Sequence, residues 1–193
     1  MPEALERFEN LLSPADLPSI GPEIRPTRLP LAALAKKLTQ AFSGLDFSPA
    51  TEKLIRSLVF LWHDHFAESH SLSQDIPDAD GSFLHGILHR REPDYGNARY
   101  WFNRVGNHPA FPLIAEQVAN LQKDWKKETI DPEEKREKWP LLFLPRKTWD
   151  PFEFIAACQR ARENPSPHSR LPRLEKIQEM EFRVLLARFV KSR

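Results

Sequence analysis

Residues 80–105 read DGSFLHGILHRREPDYGNARYWFNRV, and the spacing of their apolar residues decides the fold. At about 100° per residue, Phe83, Leu84, Ile87 and Leu88 share one arc of a helix. Arg91 falls inside that arc. His85 and His89 are four residues apart, so they stack on the opposite flank, beside Gly86. A second helix opens at Asp94 and Tyr95 and puts Ala98, Trp101, Phe102 and Val105 on its buried arc. Arg99 and Asn103 share another face, and Tyr100 falls outside the apolar arc. The stretch therefore predicts two packed helices with a polar flank of two histidines.

Composition carries the helical reading to the whole chain. The 193 residues are 40% hydrophobic and 28% charged, enough for one globular core. Six glycines stand against 18 prolines, and runs of valine, isoleucine and threonine are few, which argues against a sheet. The prolines edge apolar-periodic segments, as helix starts and stops do. With 28 basic and 27 acidic residues the net charge is +1, which gives no overall field to attract nucleic acid. No apolar run approaches the roughly 18–20 residues of a membrane span. MPEALERFENLL lacks the basic start and apolar stretch of a signal peptide. Cys158 is the only cysteine, so no intramolecular disulfide forms, and a cytoplasmic protein is expected. Its place in FEFIAACQRA predicts a buried, inert thiol.

Pro14, Pro18, Pro22, Pro26 and Pro30 recur every fourth residue, a period that forbids regular helix. Residues 1–30 are therefore read as a proline-rich extended arm, pinned by Ile20, Ile24 and Leu29. Residues 31–193 form a single all-α domain, a bundle of about seven helices. They fall near 29–42, 48–72, the two of the opening stretch, 111–125, 148–164 and 171–190. Ser48 and Asp150 are predicted N-caps, each followed by proline at the first helical position. The charged run 126–138 is expected to be solvated, and KWPLLFLPR (138–146) is ambiguous.

Function candidates gather on two helices. Residues 48–72, read as one helix, are apolar almost all round, as a central helix is. His63 and His70, seven apart, share a side of it, while His65 points into its apolar arc. Five of the seven histidines lie between His63 and His89. The predicted binding site is His63, His70, His85 and His89, with Arg90 and Tyr100 at its rim. The metal set this suggests is His63, His85 and His89 with Asp64 or Glu68. A histidine paired with Asp64 or Glu68 would also suit general acid–base catalysis. No GxSxG motif or glycine-rich phosphate loop accompanies it. Arg90 and Arg91 end a helix, where cations suit the negative pole. Arg91 is expected to be buried and paired with Glu68, Glu92 or Asp94, with an anion pocket as the alternative.

Residues 80–109 also resemble one tetratricopeptide repeat, a helix–turn–helix unit of 34 residues. The likeness rests on Gly86, Asp94, Tyr95, Ala98, Phe102, Val105 and Pro109. It departs at His85 and His89, where the family carries apolar or aromatic residues, and at Pro93 in the turn. The resemblance implies that Gly86 and Ala98 are helix-crossing points, that Tyr95, Trp101 and Phe102 are structural, and that neighbouring helices cap the lone unit. WHDH (62–65) followed by HRREPDYGNARYWF (89–102) is also similar to a group of bacterial and fungal proteins, a likeness that adds no chemistry. The expectation is a helical domain binding a peptide or small molecule in a His/Arg/aromatic groove, without nucleic-acid or membrane partners. The alternative is a metal-dependent or histidine-based enzyme on the same cluster. No cofactor is identified.

Overall fold

The computed structural model describes residues 2–12, 16–125, 148–164 and 171–192, all helix or irregular chain with no strand among them. Nine α-helices lie in these residues: α1 (Pro2–Glu9), α2 (Leu31–Phe42), α3 (Pro49–Trp62), α4 (Phe66–Ser73), α5 (Ala79–Arg91), α6 (Tyr95–Val105), α7 (Ala110–Trp125), α8 (Pro151–Glu163) and α9 (Leu171–Lys191). The charged run and KWPLLFLPR lie outside the described residues, as does Pro14. Among the described residues no helix is long and apolar enough to cross a membrane.

The helix starts follow local chemistry. Ser48 Oγ accepts from the Thr51 amide at 3.1 Å, with Pro49 at the first helical position. Asp150 accepts from Phe152 and Glu153, ahead of Pro151. Asp78 caps α5 by accepting from Gly81 at 2.8 Å, and Asp94 caps α6 by accepting from Asn97 at 3.1 Å.

The helix count departs from seven at two places. The first is the N-terminus, where α1 and a turn of 3-10 helix (Asn10–Leu12) occupy the start of the expected arm. Ala4, Phe8, Leu11 and Leu12 are buried there, and α1 packs on α2 and α9. Residues 16–30 form neither helix nor strand. Ile20 is fully buried and Leu29 partly so, whereas Ile24 is 58% exposed and pins nothing.

The second is the predicted helix 48–72, which breaks at His63–Asp64–His65 into α3 and α4. Asp64 takes a left-handed conformation (φ 61°) that an uninterrupted helix excludes. Two arginines from distant segments hold it there. Arg25 Nε reaches Asp64 Oδ2 at 2.9 Å, and Arg91 Nη2 reaches Oδ1 at 2.6 Å. The same two side chains donate to carbonyls at the open C-terminal end of α3: Arg91 to Leu61 at 2.5 Å, Arg25 to Trp62. A helix end leaves such carbonyls without intrahelical partners, so the pair of guanidiniums both neutralises Asp64 and caps α3. Burial works against the Asp64 carboxylate, yet Arg91 and Arg25 hold its pKa below the ordinary value.

α5 and α6 pack as an antiparallel hairpin joined by three residues. Gly86 is the crossing: a Cβ there would stand 2.7 Å from the Phe102 ring. Phe102 in turn meets Phe83 edge-on at 5.2 Å, and Ala98 is fully buried. α9 lies against α1, α3, α7 and α8, so the apolar cluster is continuous from Ala4 to Val190. A buried ion pair ties α5 to it. Arg90 reaches Glu181 at 2.5 and 3.1 Å and Gln178 at 3.2 Å, and its guanidinium lies 4.4 Å from the Phe154 ring centre.

Candidate functional site

The break at Asp64 sorts the histidines. With α4 redirected, His63 and His70 no longer lie on one face of one helix. His63 and His65 become ties for the irregular segments. His63 Nε2 bonds to the Leu11 carbonyl at 2.8 Å, and its Nδ1 accepts from the Leu29 amide at 3.2 Å. Both ring nitrogens are thus occupied. His65 Nε2 bonds to the Leu29 carbonyl at 2.9 Å. His108, which sequence reasoning did not single out, bonds to Asp80 at 2.8 Å, and Arg188 joins the same carboxylate at 2.9 Å. His168 lies outside the described residues.

The remaining three converge. His70 of α4 and His85 and His89 of α5 each offer a ring nitrogen within 4.8 Å of the other two. His85 and His89 stack at 4.7 Å, as their i, i+4 spacing requires, and His70 meets them edge-on at 4.5 and 5.6 Å. Trp101 of α6 is half-buried rather than in the core, and its indole lies flat on His85 at 3.9 Å with an 11° tilt. Tyr100, 55% exposed, stands edge-on to Trp101, and Arg104 lies 5.3 Å from the Trp101 ring centre. The site is thus a trio of imidazoles with an aromatic wall.

Burial opposes protonation of His85 and His89. Burial, reinforced by His89 and His70 next to it, pushes the His85 pKa down to about 3. Burial also lowers that of His89, although Glu92 and Asp94 oppose it. His85 is 3% exposed, and its Nδ1 is buried with no hydrogen-bond partner among the described residues. His89 has Asn97 Nδ2 at 3.1 Å from Nε2 and a Glu92 oxygen at 3.0 Å from Nδ1, the latter without hydrogen-bond alignment. Because an amide Nδ2 only donates, Nε2 of His89 carries the lone pair and Nδ1 the proton, facing Glu92.

Other expected site residues stand elsewhere. Arg90 is fully buried against Glu181 and cannot line a rim. Arg91 is buried and paired as expected, but with Asp64 instead of Glu68, Glu92 or Asp94. Its Nε also reaches the Ser19 carbonyl at 2.8 Å. Asp64 is spent between two arginines. Tyr95 packs on the core. Cys158 is fully buried, and burial pushes its thiol up to about 12, so no thiolate nucleophile exists near neutral pH. Trp101, Asn97 and Glu92 are the site neighbours that sequence reasoning missed. The i, i+3 spacing of His89 and Glu92 was the available signal for one of them. A separate apolar groove between α7 and α9, lined by Leu113, Met180, Val184 and Ala187, contains none of the predicted site residues.

What the described residues define is an all-α fold with a cluster of three imidazoles from α4 and α5 packed against Trp101 of α6. No family model, curated protein or solved structure matches the chain.

Proposed function

We propose that the protein is a ligand-binding helical domain whose working site is the imidazole face formed by His70, His85, His89 and Trp101. The observation that carries this reading is the buried, unpartnered Nδ1 of His85 beside two further imidazoles. Leaving such a polar atom unsatisfied costs about 1–3 kcal/mol, whereas an apolar side chain would pack there without that cost. A ligand that engages the nitrogen offsets the penalty. The compactness of the trio favours a small ligand over a peptide, with Tyr100 at the rim.

In this reading the α5–α6 hairpin is a tetratricopeptide-like unit put to a different use. Its histidines occupy positions where that family packs apolar side chains, and α4 closes the open side. Acid–base catalysis is the weaker alternative, because burial opposes protonation of His85 and makes it a poor proton donor near pH 7.

A thermal-shift screen of metabolites and metal salts on the wild type, Trp101→Leu and His85→Phe tests the proposal. A site ligand at about a hundredfold excess over Kd adds roughly 2.7 kcal/mol to the folded state. The stabilisation by an organic ligand should vanish in both variants, and that by a metal in His85→Phe. Ligands that stabilise all three proteins equally would show that binding occurs elsewhere.

A further inference from the structure

We propose that His70, His85 and His89 together bind one divalent transition-metal ion of the zinc type. The proposal rests on the binding-site reading above and names the chemistry of its ligand.

The geometry comes first. Nitrogens about 2.1 Å from a tetrahedral zinc are about 3.4 Å apart. Donor atoms that already lie within 4.8 Å of one another need to close by no more than about 1.4 Å. His70 is half-buried, while His85 and His89 are fixed to one face of α5 by their spacing. Two helical histidines at i and i+4 completed by a third from a neighbouring helix form a three-ligand set.

A cation is bound by neutral imidazole through a ring nitrogen that carries a lone pair. His85 has a buried nitrogen without a partner. A Glu92 oxygen stands 3.0 Å from His89 Nδ1 without hydrogen-bond alignment, so a small turn of the ring would direct the Nδ1 proton to it and leave the Nε2 lone pair for coordination. That matches a carboxylate orienting a metal-bound histidine. Asn97, which donates to the same lone pair, is the group the metal displaces.

Simple aromatic packing is the rival explanation. Stacking of His85 on Trp101 gives a modest stabilisation. It does not account for a polar atom left unpaired, which costs as much or more. Phenylalanine or leucine would serve packing better.

The donor set selects the metal class. Three nitrogens without a thiolate suit zinc, copper, nickel or cobalt and not calcium or magnesium, which take oxygen ligands. Three protein ligands also leave a fourth position for water or another small ligand.

The test uses the full chain purified without an affinity tag. Zinc chloride is titrated calorimetrically, and cobalt(II) substitution is followed by its visible ligand-field bands. One equivalent of metal is expected, with a tetrahedral cobalt spectrum and no displacement by excess magnesium. Glu92→Gln should weaken zinc by about 10–100-fold, and His70→Ala by more. His70 is half-buried, so this variant should keep its helical circular dichroism even where a His85 variant fails to fold. Wild-type zinc affinity in His70→Ala, or no saturable zinc binding, overturns the metal proposal. If zinc fails while another ligand still depends on Trp101 and His85, the metal assignment falls and the binding site stands. If no ligand depends on them, both readings fall.

Discussion

At the scale of the residue, Arg91 has the most consequences. It was expected to be buried because it falls on the apolar arc of α5, and it is. Its partner was not readable, because Asp64 reaches it only through the break between α3 and α4. Burial lowers the Arg91 pKa to about 10 despite the opposing pull of Asp64. Arg91→Met removes one of two charges holding Asp64 and one cap from α3. The expected loss is about 3–5 kcal/mol in urea melts. A loss within about 1 kcal/mol would be that of an exposed pair. Glu175 offers a pH test of opposite sign. Burial first, and Glu23 second, raise its pKa to about 7, against the pull of Arg25 and Arg91. A carboxyl whose folded pKa exceeds its unfolded one favours folding below about pH 4.5, and that advantage is lost as pH rises through about 7. Glu175→Gln should therefore match the wild type at pH 4 and exceed its stability at pH 8. The group is partly solvated, so the gain is on the order of 1 kcal/mol after allowance for screening. Equal melting curves at pH 8 would place the Glu175 carboxyl in open solvent.

At the scale of the element, the sequence was informative wherever local chemistry decides. The caps of α3 and α8, the α5–α6 pair and the Gly86 crossing were all legible from spacing and N-cap residues. The break at residues 63–65 was not. Neither glycine nor proline stands there, and the apolar pattern runs through it. The helix yields to a tertiary cause, two arginines that converge on Asp64. Because the sequence carries no mark of that break, spacing groups His63 with His85 and His89 and omits His70 from the metal set. α1 was lost differently: Ala4, Phe8 and Leu12 have helical spacing, but the proline period of residues 14–30 was extended over them. The crossing itself can be tested. Gly86→Leu must push the Phe102 ring away or part the two helices, since even a Cβ stands 2.7 Å from it. Overpacking of this kind costs about 1–3 kcal/mol or more. A variant within a few tenths of wild type in urea would mean that α5 and α6 do not cross at Gly86.

At the scale of the whole molecule, one apolar cluster joins the described helices, α4 packing against it through Phe66 and Leu72, and the buried polar side chains include two contrasting kinds. Arg25, Asp64, Arg91, His63 and His65 tie irregular segments to helix ends, and Arg90 with Glu181 ties α5 to α9. Each is hydrogen-bonded within the fold, although Arg90 Nε has no partner among the described residues. His70, His85 and His89 form the other kind, a cluster whose bonding is incomplete within the protein. That division is the central claim, and nitrogen-detected NMR of the histidine rings tests it most directly. Spectra of the full chain are recorded with and without an equivalent of zinc, or of a ligand found by thermal shift. The ring nitrogens of His70, His85 and His89 should move together, while those of His63, His65 and His108, already bonded to Leu11, Leu29 and Asp80, stay in place. Shifts at His63 or His108 with the trio unmoved would contradict the account.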